Sequence, residues 1–258
     1  MAKKKFNIIY AVIGLPILFG LIWYGASLGI GVAPQTNDGT TPTNRTENTA
    51  GANTAQEQLD GLPNKILIAN VPFTSQAPTG QWSDDRQQND CEEAAVLIGT
   101  KWMIGESIGS TENALAQLLT LSKLAESMFG SYVDSSAADT LKLFQKYTDT
   151  TQGQVKYDVT MTDIKTELAA GHILLSPMNG QALNNPNFTG AGPERHFLVI
   201  IGYDDKTGMF TTQDPGTRKG QNYRYKYETL FAAMRDYPTG DHEKIVSNRR
   251  AVIIVNKV

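Results

Sequence analysis

One cysteine, Cys91, and three histidines are all that 258 residues offer of the side chains most used in nucleophilic and metal chemistry. A single sulfur excludes a disulfide within the chain and leaves no thiolate pair for zinc. His172, His196 and His242 show no H-x-x-x-H or related ligand spacing, so neither a metal site nor a cofactor is expected. No basic stripe with interleaved aromatics occurs, and the formal net charge is −3, which argues against nucleic acid as a partner. No internal repeat is evident. Charge is missing altogether between Phe6 and Ala33.

That gap has a physical reading. Lys3, Lys4 and Lys5 precede 28 uncharged positions. At ~1.5 Å per residue these suffice to cross a hydrocarbon layer of ~30 Å. The basic cluster on the N-terminal side predicts residues 1–5 in the cytoplasm, a transmembrane anchor over 6–33, and the rest of the chain outside the cell membrane. A cleaved signal peptide competes with the anchor. The apolar run is longer than a usual signal core, and Gly31-Val32-Ala33 is followed by Pro34, a poor cleavage context, so the uncleaved anchor is favoured. Either way the chain is exported. Residues 34–63 are polar, rich in Thr, Asn, Gly and Pro, and read as a disordered linker. Residues 64–258 are enough for one domain with a real core.

Within that domain the hydrophobic pattern predicts helices first and strands later. Helices are expected over Cys91 to about Ile104, Thr111–Met128, Ser135–Tyr147 and Thr160–Ala170, the last with Thr162 as N-cap. Strands are expected over His172–Ser176, His196–Tyr203, Met209–Gln213, Tyr223–Tyr227 and Ala251–Val255, and Ile66–Val71 is expected as a strand or an extended entry to the domain. The order implies an α+β domain, a helical N-terminal half packed on a mostly antiparallel sheet. At the first helix, Asp90 as N-cap and Glu93 three residues on make a capping box, which puts Cys91 on the first turn. There the unpaired N–H groups and the helix dipole favour a thiolate. A lone cysteine on such a helix is more often packing than chemistry, so other residues must decide.

The turn Asp204-Asp205-Lys206-Thr207-Gly208 supplies them. A hairpin centred there makes His196 and Asp214 cross-strand neighbours or one diagonal apart, within reach of a hydrogen bond. A carboxylate that orients an imidazole, which in turn takes a thiol proton, is the arrangement an activated nucleophile needs. The bland alternatives are a turn for Asp214-Pro215-Gly216 and structural roles for His172 and His242.

The stretches Asn70-Val71-Pro72-Phe73-Thr74-Ser75-Gln76-Ala77-Pro78, Trp82 and Asp90-Cys91-Glu92-Glu93-Ala94 resemble the N-terminal signature of bacterial papain-like cysteine peptidases of the family-39-like kind, relatives of the double-glycine leader peptidases. Gly171-His172-Ile173-Leu174, Arg195 to Asp204 and Asp214-Pro215-Gly216 extend the resemblance over residues 70–256. It implies a papain-like cysteine peptidase fold, Cys91 as nucleophile, His196 as general base and acid, and Asp214 as orienter. Gln76 is implied as the oxyanion-hole amide beside the Cys91 N–H, with Gln87 and Gln88 as rivals. A peptide or protein is then the substrate. One departure matters: leader peptidases carry glycine after the cysteine, whereas this chain has Glu92, which should raise the thiol pKa unless it points to solvent. Two further readings keep the fold: a non-catalytic module binding peptides or cell-wall material, and an amidase or transferase acting on the cell wall.

Overall fold

The computed structural model describes residues 61–258; the expected anchor at 6–33 and nearly all of the linker at 34–63 lie outside the described residues. Among the described residues no helix is long and apolar enough to cross a membrane. The elements are β1 (Lys65–Leu67), α1 (Asp85–Asn89), α2 (Cys91–Met103), α3 (Thr111–Phe129), α4 (Ala137–Thr148), β2 (Gln154–Tyr157), α5 (Met161–Ala169), β3 (Ile173–Met178), α6 (Gly180–Leu183), β4 (His196–Asp204), β5 (Met209–Gln213), β6 (Tyr223–Lys226), α7 (Tyr227–Ala233) and β7 (Ala251–Val255). The sheet runs β2-β7-β3-β4-β5-β6, with β1 added against the far end of β4, and every pairing is antiparallel. The α+β architecture expected from the sequence is therefore present.

β4 explains how the sheet carries two cores. Phe197, Val199 and Ile201 pack with α2, α3 and α4, while Leu198 and Ile200 join a second cluster with residues of α5 and α7. A strand covered on both faces must be apolar throughout, which is why it reads as an unbroken run rather than an alternation. A register shift between Ile200 and Gly202 reverses the alternation, so Tyr203 falls in the second cluster. Gly202 has no room for a side chain: a Cβ there would meet Ile66 O at 2.4 Å, where β1 crosses. α2 is the central helix, with every residue except Lys101 buried. Gly99 lets it settle onto β3, a Cβ there lying 3.3 Å from Leu175 Cδ1.

Several local expectations are corrected. The capping box at Asp90 does not form: Asp90 makes no side-chain bond to the helix, because α1 runs almost directly into α2 and leaves no extended capping residue. Its carboxylate instead accepts from Ser122 Oγ of α3 at 2.5 Å, and Glu93 is buried. The cap of α5 is Thr160, not Thr162, reciprocated by Asp163 in a complete capping box. The first strand is shorter than Ile66–Val71, and Tyr227 begins α7 rather than ending a strand. β2, α1, α6 and α7 had no expected counterpart. All are seven residues or fewer, too short for an apolar period to declare itself.

Candidate active site

Asp214 directly follows β5 and its carboxylate is wholly buried, yet all of its acceptor capacity is used. Oδ1 accepts from His196 Nε2 at 2.7 Å and from the Gly216 N–H at 3.0 Å. Oδ2 accepts from the Tyr225 hydroxyl at 2.5 Å and from Asn185 Nδ2 at 3.2 Å. Burial alone pushes this carboxyl up, but the charge and hydrogen bond of His196, with Tyr225 and Gly216, outweigh it and hold the pKa below the usual carboxylate range. The register Val199↔Gln213 and Ile200↔Thr212 puts Asp214 one diagonal from His196, as the hairpin implied.

The imidazole is fixed from its other sides by small residues and an aromatic edge. Phe188 meets it edge-on with centroids 5.3 Å apart. A Cβ on Gly216 would lie 2.7 Å from His196 Cε1, and one on Gly180 would lie 3.1 Å from His196 Cβ. With Nε2 given to Asp214, Nδ1 is the nitrogen left to receive a proton. Asn185 and Tyr225 were not singled out from the sequence. Tyr225 lies on the strand beside the one that leads into Asp214, a placement that needs the β5–β6 register to be seen. Asn185 arrives from the loop after α6 and has no sequence signal.

Cys91 opens α2 and is 8% exposed. Among the described residues the only hydrogen bond of its Sγ is to Glu92 Oε2, at 3.0 Å, and none joins Sγ to the His196 ring. The expected thiolate is thus corrected. Burial first, then the adjacent Glu92 charge and hydrogen bond, raise the thiol well above its ordinary pKa and override the helix terminus. Cys91 and His196 are nevertheless linked through Tyr237. Its hydroxyl donates to Glu92 Oε1 at 2.7 Å and lies 3.3 Å from the His196 carbonyl oxygen.

Gln76 ties the two halves together. Its Nε2 donates to the carbonyls of Gln87 at 3.2 Å and Gln88 at 2.5 Å, just before α2. Its backbone N–H donates to Pro215 O at 3.0 Å, next to Asp214. Neither rival has this double attachment. Gln87 Oε1 accepts from the Thr79 hydroxyl, and Gln88 is exposed. Both Gln76 amide hydrogens are engaged, so service in an oxyanion hole requires one to be redirected. His172 pairs with Glu167 at 2.9 Å and His242 with Asp134 at 3.0 Å, and neither hydrogen-bonds to Asp214. Among the described residues no group of three or more His, Cys, Asp or Glu side chains is placed to hold a metal ion.

Comparison with known proteins adds three findings. No curated protein matches the chain. Among solved structures, a protein described as a C39-like peptidase from Bacillus anthracis is similar at 14% identity and TM-score 0.43, covering 75% of this chain and 98% of that one. Xylellain, a cysteine protease from Xylella fastidiosa, is similar at 11% identity and TM-score 0.49, covering 79% and 89%. The family model described as the Peptidase_C39 like family matches residues 68–239, about two-thirds of the chain. With that span matched, the chain belongs to the Peptidase_C39 like family and is a cysteine peptidase.

Proposed function

We propose that the chain hydrolyses peptide bonds outside the cell membrane, tethered by residues 6–33, through Cys91, His196 and Asp214 in a papain-like site. One observation carries the reading: a buried, fully hydrogen-bonded carboxylate on Nε2 of an imidazole whose Nδ1 is left over. In this mechanism Nδ1 takes the thiol proton and Sγ attacks the scissile carbonyl carbon. The oxyanion is met by the Cys91 N–H and the Gln76 amide, and loss of one such donor typically costs ~10²–10³ in rate. The imidazolium then protonates the leaving amine, and water hydrolyses the thioester with His196 as base. Asp214 keeps the ring in the tautomer that leaves Nδ1 unprotonated at the start.

The reading as a non-catalytic binding module draws support from the thiol's attachment to Glu92 in place of His196. One experiment separates the two. Full-length protein in detergent micelles is incubated with a peptide library and the products are read by mass spectrometry. Cleavage that disappears in Cys91→Ala supports the peptidase. No cleavage by the wild type, with peptides retained on the protein, supports the binding module, and cleavage that persists in Cys91→Ala removes Cys91 from the mechanism.

A further inference from the structure

The sulfur faces a carboxylate that has nowhere else to go. Glu92 is 1% exposed. Oε2 accepts from Cys91 Sγ at 3.0 Å, while Oε1 accepts from the Tyr237 hydroxyl at 2.7 Å and the Ser135 N–H at 3.2 Å. These donors come from three parts of the chain: the start of α2, the segment before α4 and the segment after α7. The carboxylate is therefore built into the site and cannot swing to solvent without opening all three.

The acidic groups around it point the same way. On its own element, Glu93 and Asp90 are buried acids, and Glu93 Oε2 and Asp90 Oδ2 have no hydrogen-bond partner. From the segment before α4, Asp134 adds a further acid. The arginines nearby already face other acids: Arg195 lies 3.4 Å from Asp134, which His242 also contacts at 3.0 Å, and Arg86 of α1 pairs with Glu126 at 2.8 Å. A negative sulfur formed in this setting is buried beside the Glu92 carboxylate, with no hydrogen bond from the His196 ring to offset the charge.

We propose that Glu92 is a positioning residue that keeps Cys91 as a neutral, hydrogen-bonded thiol in the resting enzyme, so that the thiolate forms only when bound substrate turns Sγ from Glu92 Oε2 toward His196 Nδ1. This rests on the reading of Cys91 as the nucleophile. In the step itself the S–H bond breaks and the proton passes to Nδ1. The electron pair left on sulfur forms the C–S bond to the substrate carbonyl carbon, and the carbonyl π pair moves onto oxygen. The new imidazolium is balanced by Asp214. An idle enzyme outside the cell then offers no standing thiolate to oxidants, which attack the thiolate form of cysteine.

The test is a titration that needs no turnover. Full-length wild type, Glu92→Gln and Cys91→Ala as the blank are followed by thiolate absorbance near 240 nm and by iodoacetamide alkylation across pH. Wild type is expected to show no thiolate step through about pH 8, and to alkylate at pH 6 more slowly than a free cysteine. Glu92→Gln has nearly the same shape but turns an amide N–H toward sulfur. Its thiolate step is expected at least one pH unit lower, with alkylation at pH 6 at least ~10-fold faster, one pKa unit being a tenfold change in thiolate fraction. Thiolate absorbance in the wild type at pH 6, or a Glu92→Gln profile that overlays the wild type, overturns the proposal. Should Glu92→Gln fail to fold by circular dichroism, the wild-type titration decides alone. Peptide cleavage surviving in Cys91→Ala would instead sink the peptidase mechanism, and the titration would still judge Glu92.

Discussion

A carboxylate's effect on its neighbours depends on where its other oxygen points, and two acids in this protein illustrate opposite results. Glu92 and Asp214 are both buried. Burial, with the acid Asp134 nearby, pushes Glu92 up against the hydrogen bonds from Cys91 and Tyr237, whereas at Asp214 the charge and hydrogen bond of His196 outweigh burial and pull it down. On the proposed mechanism Asp214 must be ionised to orient His196, and its depressed pKa lets activity persist into acid. Removing the Tyr225 hydroxyl takes away the 2.5 Å donor on Oδ2. Tyr225→Phe is therefore expected to raise the Asp214 pKa, move the acid limb of the kcat/KM–pH profile upward, and cost about 1–3 kcal/mol of stability for the donor lost from a buried charge. An unmoved acid limb would show that Asp214 ionisation does not limit the rate. The sequence pointed to the Asp214–His196 contact because a hairpin register is a counting problem. It did not reveal that Glu92 turns inward, because the direction of that side chain is set by Tyr237, 145 residues away.

At the scale of elements, the β5–β6 hairpin is closed by a turn that presses backbone on backbone. Gly220 gives its carbonyl to the Asp214 N–H at 3.0 Å, and a Cβ on Gly220 would overlap Asp214 O at 1.7 Å. Gly220→Ala is expected to open this turn, lower stability by about 1–3 kcal/mol as overpacking does, and reduce kcat more than it raises KM, since it shifts the orienter rather than a substrate contact. A denaturant melt and a kcat/KM split check it; full activity at unchanged stability would mean the turn tolerates the methyl group. The long helices and β4, β5 and β7 were legible in the sequence because an apolar period sustained over several residues has few alternatives. The expected capping box was not realised, since a preceding helical turn, α1, removed the extended backbone that a cap requires.

For the molecule as a whole, buried acids set how stability varies with pH. Burial raises the Asp90 carboxyl to about 7, against the partial opposition of the Ser122 hydrogen bond, and raises Glu93 well above its ordinary range. A carboxyl with a raised folded pKa takes up a proton in the native state before the unfolded chain does. The stability it contributes is present below its ordinary pKa and is lost as pH climbs through about 7. Asp214, Asp163 and Asp139, whose values are lowered, act oppositely and lose their contribution only as pH falls below the ordinary carboxylate range. Thermal stability is thus expected to rise on going from about pH 8 to about pH 5 and to fall in stronger acid. For Asp90 alone the gain is roughly 2–3 kcal/mol, or ~5–10 °C in Tm for a domain of this size. Asp90→Asn should flatten the rise, and calorimetry showing the same slope in both proteins would remove Asp90 as its source.

The sequence by itself determined the class of the domain, the central helix that begins at Cys91 and the strand pair that brings His196 to Asp214. Those depend on local periodicity and on turns that a short stretch of chain encodes. Only the tertiary structure decided the surroundings of the sulfur. Helix-end electrostatics is a property of a few adjacent residues, but burial, the inward turn of Glu92 and the hydroxyl of Tyr237 come from segments far apart in the chain, and in a site of low dielectric those outweigh the helix end.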